Sequence, residues 1–200
     1  NGQVIVLTSN ALAIDKNITI NDSGQTLLAV SRSATAGNFR IFHILAGHTV
    51  IIKNLTISGG YTLNEGGAGI LNDHSTLTLD SCTVRDNLSF YASGGGIVND
   101  GSGGNASLTI LNSTVTNNSV FNGTAGGGIY NINFNLGSVT LTIVNSTVTW
   151  NTVEYYDVLP PTAGGYGGGI SIEASNGDSA TLTITNSSIT HNRAGPPNDY

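Results

Sequence analysis

Apolar and polar residues alternate with a period of two through much of this 200-residue chain. Successive side chains of a β-strand point to opposite faces, so this alternation predicts short strands with one buried face. The clearest alternation lies in four copies of one phrase, at residues 77–87, 108–118, 141–151 and 182–192. In the first three copies the residues predicted to point inward are Leu77, Leu79, Cys82 and Val84, then Leu108, Ile110, Ser113 and Val115, then Leu141, Ile143, Ser146 and Val148.

A glycine cluster that ends in isoleucine precedes each copy, at residues 66–70, 94–97, 126–129 and 167–170. Successive clusters end 27 to 41 residues apart, and fainter copies of the phrase occupy residues 12–20 and 50–57. Self-similarity at such a period is typical of stacked coils, each of which buries its apolar edge on its neighbours. The sequence therefore predicts a solenoid of about six coils.

The interior of each phrase predicts a corner, because a Ser or Asn separates the two inward pairs at Ser81, Asn112, Asn145 and Asn186. Asn tolerates a left-handed backbone and bonds its own main chain, which suits a corner. Together with the glycine-isoleucine segment, this predicts three short strands per coil and three parallel sheets. Abundant Thr, Val, Ile, Asn and Gly disfavour helices, and no two-residue hairpin turn separates the strands. We therefore expect an all-β, right-handed parallel β-helix forming one domain over residues 1–200, with clear repeats at 66–192 and degenerate coils at 12–60.

Glycine-isoleucine segments followed by this phrase resemble the right-handed β-helix proteins of bacterial and archaeal cell surfaces. These include the repeats of polymorphic outer-membrane proteins and autotransporter passengers, which share the pectin-lyase-like superfold. The resemblance covers roughly residues 12–192. It implies a β-helix, but that superfold hosts adhesins, lyases, hydrolases and plain stalks, so it implies no single activity.

The composition favours an extracellular or cell-surface setting. Only 9% of the residues are charged, the net charge is −6, and six Lys and Arg leave no basic face for a phosphate backbone. We therefore expect no nucleic-acid partner. No apolar run is long enough to span a bilayer, and no signal peptide is visible, as expected for a mature form or an excised domain.

Asparagines recur at a fixed position of the repeated phrase and in many Asn-x-Ser/Thr sites. Asn87, Asn118, Asn151 and Asn192 close the four clear copies at one phase, which predicts a structural ladder of stacked amides. Many Asn-x-Ser/Thr acceptor sites also occur, and a glycoprotein would carry sugars at several of them. The candidates are Asn17, Asn54, Asn105, Asn122, Asn145 and Asn186.

Carboxylate side chains support the alternative hypothesis that the protein is an enzyme. Alignment of the glycine segments places Asp73, Asp100 and Glu173 at one phase, with Ile132 between the last two. Asp73 and Asp100 on adjacent coils are predicted to face outward at a separation that suits a retaining glycosidase pair or a shared calcium ion, with His74 beside them. The alternative is two solvated acids at strand ends. A lone Cys82 and four scattered histidines do not provide a zinc site, and burial predicts an inert thiol.

Two further surfaces are candidates for binding. Outward threonines recur at one phase and predict a flat array of the kind that ice-binding solenoids present, interrupted at Arg85; Thr is also simply favoured on exposed strands. They are Thr56, Ser58, Thr114, Thr116, Thr147, Thr149, Ser188 and Thr190. Aromatic residues outside the predicted strands suggest an interaction loop at Tyr155, Tyr156 and Tyr166, unless that loop only packs on its own coil.

We expect a non-catalytic, extracellular structural or adhesive solenoid, because the sequence presents no complete catalytic constellation and implies no cofactor. The open apolar ends of a β-helix predict end-to-end self-association, strand donation or a filament, and surface glycans are the other expected partner. A carbohydrate-active lyase or hydrolase is the second hypothesis and an ice-binding protein the third.

Overall fold

The computed structural model describes residues 2–22, 28–155, 165–175 and 177–195, and every regular element in them is a β-strand. The strands form four parallel sheets, here named A to D. Sheet A contains β1 (Val4–Leu7), β4 (Leu28–Arg32), β7 (Leu55–Ser58), β11 (Thr83–Arg85), β15 (Thr114–Thr116), β19 (Thr147–Thr149) and β23 (Ser188–Thr190). Sheet B contains β2 (Leu12–Ile14), β5 (Phe42–Ile44), β9 (Ile70–Asp73), β13 (Ile97–Asp100), β17 (Ile129–Asn133) and β21 (Ile170–Ala174).

The other two sheets complete the wall of the solenoid. Sheet C contains β3 (Ile18–Asn21), β6 (Thr49–Lys53), β10 (Thr76–Asp80), β14 (Asn105–Leu111), β18 (Ser138–Val144) and β22 (Ser179–Thr185). Sheet D contains β8 (Tyr61–Leu63), β12 (Leu88–Phe90), β16 (Ser119–Phe121), β20 (Thr152–Glu154) and β24 (Arg193–Gly195).

The chain visits the sheets in the order B, C, A, D and then begins the next coil. Equivalent residues of the repeats pair directly, as Leu77 does with Leu108 and Leu108 with Leu141. Every strand pairing within the sheets is parallel, so the predicted all-β parallel solenoid is confirmed. Its right-handed sense stays a prediction.

Each complete coil has four strands, so the prediction of three strands was wrong. The missed strand belongs to sheet D and is only three residues long. Its inward position changes from coil to coil, with Thr62, Ser89, Val120 and Val153 in turn, so no apolar repeat marks it in the sequence. Where inward side chains vary, periodicity alone does not identify a strand.

Four described coils have all four strands and a neighbouring coil on each side, namely β5–β8, β9–β12, β13–β16 and β17–β20, although β8 is the edge strand of sheet D. The first coil, β2–β4, has no strand in sheet D among the described residues, and the coil β21–β24 has a described neighbour on one side only. The number of complete interior coils is therefore somewhat smaller than the predicted total of about six.

The core is a column of aliphatic side chains along the solenoid axis. All twelve residues predicted to point inward in the first three copies of the phrase are buried. The cluster also includes Phe42, Ile44, Ile52 and Ile57 from the degenerate coils. Direct stacking of like side chains on parallel strands supplies the interdigitation that a close-packed interior needs.

The predicted corner between sheets C and A is also confirmed. Ser81, Asn112, Asn145 and Asn186 have φ between 48° and 57°, in the left-handed region. A second left-handed corner, between sheets A and D, was not predicted; it lies at Asp86, Asn117, Trp150 and His191. Its residues share no side-chain type, so only the backbone reveals it.

Candidate functional site

The interior of the solenoid contains a continuous ladder of the four predicted asparagines. Nδ2 of Asn87, Asn118 and Asn151 each donates to Oδ1 of the asparagine one coil further on, at 2.9 Å every time. The same amides donate to main-chain carbonyls of the preceding coil, such as Val84 and Val115. Asn87, Asn118 and Asn151 are fully buried. Since each buried amide is bonded on both sides, the ladder holds the coils in register.

The last glycine of each cluster leaves room for this ladder. A Cβ built on Gly96 would lie 2.9 Å from Cγ of Asn118, and one on Gly128 would lie 2.9 Å from Cγ of Asn151. At the equivalent glycines of the flanking coils, the distances to Cγ are 3.1 Å from Gly69 to Asn87 and 2.8 Å from Gly169 to Asn192. Each of these sheet B strands is therefore directly preceded by a residue without a side chain, which leaves room for the ladder amide.

A second ladder was missed in the sequence. Asn72 Nδ2 donates to Asn99 Oδ1 and Asn99 Nδ2 donates to Asn131 Oδ1, both at 2.7 Å and fully buried. The signal was present, since each of these asparagines lies two residues after the isoleucine of a glycine cluster. In the next coil the position paired with Asn131 is Ile172, so the ladder ends there and Asn131 Nδ2 has no protein acceptor.

A third column links the corners between sheets C and A. The main-chain N–H of Cys82 donates to Ser113 Oγ, Ser113 N–H to Ser146 Oγ, and Ser146 N–H to Ser187 Oγ. Cys82 is buried, as predicted, and burial raises the pKa of its thiol. A protonated, buried thiol is a poor nucleophile, so the column is structural.

Charged residues gather on the outer face of sheet B. Asp73 and Asp100 lie opposite each other in register, followed by Ile132 and Glu173. Asp73 bonds Nδ1 of His74, whose Nε2 lies 2.6 Å from the carbonyl oxygen of Ser102. Asp100 instead accepts from the N–H of Ser102 at 2.9 Å. The two acids are therefore neighbours as predicted, and each is already engaged with a local partner.

The pKa values of the two histidines in this cluster, His43 and His74, are shifted in opposite directions. The carbonyl of Ser102, and then Asp73, raises the pKa of His74. Burial, and then the guanidinium of Arg40, lowers the pKa of His43, although Asp73 Oδ2 lies 3.7 Å from its Nε2. His43 is therefore neutral at pH 7, and His74 carries more positive charge than a free histidine would.

Glu173 is separated from the two aspartates. It accepts a hydrogen bond from the hydroxyl of Tyr130 at 2.8 Å, and burial together with this carboxylate raises the pKa of the Tyr130 hydroxyl. Because Ile132 interrupts the row, the phase shared by these acids does not produce a three-carboxylate site. No group of three Asp, Glu, His or Cys side chains placed to hold a metal occurs among the described residues.

Beside this cluster lies a cavity of about 360 Å³ that the sequence did not predict. Its walls include Asn10, Asn38, Phe39, Arg40, His43 and Glu65. Arg40 donates to Glu65 Oε2 at 2.6 Å, while Arg40 Nε and His43 Nε2 are shielded from solvent and have no hydrogen-bond partner in the protein. The lining comes largely from segments that precede sheet B strands of three successive coils, and these segments share no repeated phrase.

Threonine rows occur on two faces. On sheet A the predicted rows are in register, and Arg85 stands between Ser58 and Thr116. Sheet C carries a second pair of outward rows, which was not predicted. One row is Thr49, Thr76, Ser107, Thr140 and Thr181, and the other is Ile51, Thr78, Thr109, Thr142 and Thr183.

Aromatic side chains stack in two places on the solenoid. Phe90 and Phe121 belong to sheet D strands and their rings stack at 4.8 Å, while Trp150 and His191 stack at 4.5 Å on the second corner. Of the predicted interaction loop, Tyr166 is 59% exposed and Tyr155 is partly buried. Tyr156 lies outside the described residues, so a loop surface built on all three stays a prediction.

The candidate glycosylation asparagines all lie on the outside or at its edge. Asn17, Asn105, Asn145 and Asn186 are exposed, whereas Asn54 and Asn122 are partly buried. Asn145 Nδ2 lies 3.4 Å from Oδ1 of Asn112 one coil away, so the corner amides stack closely. Occupancy by sugars stays a prediction.

These features define a parallel β-solenoid held together by interior polar ladders. No family model matches the chain, and neither a curated protein nor a solved structure matches it. The described part of the chain contains no helix long and apolar enough to cross a bilayer.

Proposed function

We propose that this protein is a non-catalytic, extracellular structural and adhesive solenoid whose coils assemble end to end with other copies. The repeated phrases resemble those of surface-displayed β-helices of the pectin-lyase-like superfold, including autotransporter passengers, and the low content of charged residues suits an adhesin or filament subunit at the cell surface.

The observation that carries the proposal is the exposure of core positions at both ends of the described solenoid. Ile5, Leu12 and Ile18 stand in the core columns of their sheets yet are 37–49% exposed. At the opposite end, Ile184 and Ile189 occupy core columns and are 42% and 39% exposed. Apolar surface beside unpaired strand edges favours association.

A second copy fits these ends because the first and the last described coils both contain strands of sheets A, B and C. Placed head to tail, its β1, β2 and β3 continue sheets A, B and C next to β23, β21 and β22. Ile5 then covers Ile189, and Ile18 covers Leu182, in the same parallel pairing that holds the interior coils. Such a heterologous contact does not close on itself and produces a filament.

Charged substitutions at an end test this assembly. We expect electron microscopy to show filaments for the unaltered protein and none for Ile184→Lys, which we expect to sediment as a monomer. Thr142→Lys, on the outer face of sheet C in the neighbouring coil, is the matched control and leaves assembly intact. Unaltered protein that is monomeric at every concentration, or unchanged assembly in Ile184→Lys, contradicts the proposal.

Ice binding is the second candidate, and the paired rows on sheet C favour it. Parallel strands place hydroxyl and methyl groups about 4.8 Å apart between coils and about 6.6 Å apart along each strand. We expect thermal hysteresis that Thr142→Tyr on sheet C abolishes and that Thr149→Tyr on sheet A retains. Absence of thermal hysteresis and of ice faceting in the unaltered protein rules this candidate out.

A carbohydrate-active lyase or hydrolase is the weaker alternative, supported by the registered pair Asp73 and Asp100. It predicts cleavage of an acidic polysaccharide, measured as new chain ends, which Asp73→Asn and Asp100→Asn each abolish. If a panel of such polysaccharides yields no new chain ends, this alternative is dropped.

A further inference from the structure

The cavity beside sheet B has the composition of a binding site. The cavity lies between the segments around Asn10, Asn38 and Glu65, which belong to the first three coils. The side chain of His43, which faces outward from β5, also lines it. At about 360 Å³ it falls in the size range of small-ligand pockets. Phe39, which is 8% exposed, adds an apolar wall.

The cavity presents both hydrogen-bond donors and hydrogen-bond acceptors. Arg40 offers a buried Nε–H that has no protein acceptor, and the Glu65 carboxylate provides acceptor oxygens held in place by the same guanidinium. His43 adds a second shielded nitrogen, Nε2, which lies 3.7 Å from Asp73 Oδ2. Asn10 and Asn38 contribute exposed carboxamides at the rim. A shielded donor with no acceptor is destabilising, and a ligand that supplies an acceptor offsets that loss.

The charges of the lining indicate what kind of ligand fits. The charge of Arg40 is balanced by Glu65, and His43 is neutral because burial and Arg40 lower its pKa. A strongly anionic ligand would meet the Glu65 carboxylate, and a cation would meet Arg40. A neutral ligand whose adjacent hydroxyls both accept and donate satisfies Arg40 and Glu65 together.

We propose that this cavity binds one hexose-type ring of a neutral surface glycan, with adjacent hydroxyls bridging Arg40 and Glu65 and the apolar ring face against Phe39. This inference rests on the adhesive part of the proposed function and names its ligand. The cavity lies in the first three coils, and the first of these is also the end that a second copy would cover in a filament. Binding is therefore measured on a monomeric variant altered at Ile184, in the last described coil, far from the cavity lining.

The test uses the whole chain carrying Ile184→Lys, so that the result does not depend on filament formation. Methyl glycosides of glucose, galactose, mannose and N-acetylglucosamine are titrated while the ring resonances of the four histidines are followed by NMR. We expect at least one glycoside to shift His43 in a saturable manner and to leave His191 unmoved.

Two conservative variants and a control assign the effect. Glu65→Gln removes the acceptor charge, and Arg40→Lys keeps the charge but removes the Nε donor; we expect each to weaken binding about tenfold or more, as for loss of a charge-assisted hydrogen bond. Arg85→Lys on sheet A leaves affinity unchanged.

Four results overturn the proposal. They are the absence of any saturable shift at His43, an equal affinity of Glu65→Gln, saturable binding of sulfate or acetate in place of the glycosides, and glycoside shifts centred on Trp150 and His191. If Arg40→Lys does not fold, Glu65→Gln decides alone. Failure of assembly in the unaltered protein leaves these outcomes unaffected.

Discussion

The asparagine ladder shows how one side chain can satisfy several buried groups at once. Asn118 donates to the carbonyls of Val84 and Thr116 and to Asn151 Oδ1, while its own Oδ1 accepts from the N–H and the amide of Asn87. No other side chain of this size has both two donors and an acceptor in a planar group. The repeat therefore requires asparagine here, whereas the exposed corner beside it requires only tolerance of positive φ.

Removal of one amide from the ladder tests this role. We expect Asn118→Ala to lower the free energy of unfolding by about 3 kcal/mol or more, because buried groups of Asn87 and Val84 lose their partners. Asn117→Gly, at the adjacent exposed corner with φ of 53°, is the control, and we expect it to change the free energy of unfolding by less than about 1 kcal/mol. Urea denaturation of both variants supplies the comparison; equal losses would contradict a special role for the ladder.

Protonation of the two histidines on sheet B provides a second test at the residue scale. His74 has its pKa raised by the Ser102 carbonyl and Asp73, so its contribution to stability is complete below the ordinary histidine pKa and is lost as pH rises through the folded value. His43 has a lowered pKa, so its contribution is present above the ordinary value and is lost as pH falls through the folded value.

An NMR titration of the folded protein checks these directions. We expect His74 to titrate above the ordinary value of about 6.5 and His43 below it. Asp73→Asn should lower the pKa of His74, because it removes a negative charge that raises it. A His74 that titrates below His43 would show that the contacts of this cluster are not those described here.

At the scale of the element, the short strands depend on the space that neighbouring residues leave for side chains. Strand β13 begins directly after Gly96, and the absence of a side chain there admits Asn118 from the opposite side of the coil. The strands of sheet D are defined by their position after the ladder asparagine and by pairing with equivalent strands, since their inward residues include both Ser89 and Val120. Sequence periodicity predicted sheets A, B and C and missed sheet D for this reason.

A methyl group at the start of a sheet B strand measures this constraint. We expect Gly96→Ala to destabilise the protein by about 3 kcal/mol, because its Cβ would lie 2.6 Å from the carbonyl oxygen of Gly128 as well as against Asn118. Gly37→Ala, where a Cβ meets nothing within 4 Å, should change the free energy of unfolding by less than about 1 kcal/mol. Similar midpoints in thermal unfolding for the two variants would disprove the close packing of glycine and ladder.

At the scale of the whole molecule, each coil contacts mainly its two neighbours, so stability is expected to vary along the axis. The coils from β5 to β20 bury their inward residues, whereas Ile5, Ile184 and Ile189 at the ends stay partly exposed. The ends are thus the part of the solenoid where association gains the most apolar burial.

Hydrogen exchange of a monomeric form, such as Ile184→Lys, tests this gradient. We expect the slowest amides in β10 and β14 at the centre of sheet C, and exchange at least about tenfold faster in β3 and β23 near the ends, because end coils open without disrupting the interior. Uniform protection along the axis would instead indicate one cooperative unit.

The sequence by itself determined the parallel solenoid, its inward aliphatic residues, the corner at Asn112 and Asn145, and the phase of the ladder. These follow from local alternation and from repetition, because identical phrases on successive coils stack in identical environments. Only the tertiary structure decided the fourth sheet, the second ladder, and the cavity around Arg40, His43 and Glu65. The fourth sheet and the cavity join residues that are distant in the chain and share no phrase, so no period along the sequence marks them. The asparagines of the second ladder do recur at one phase, and only the pairing of sheet B strands shows that their amides bond to one another.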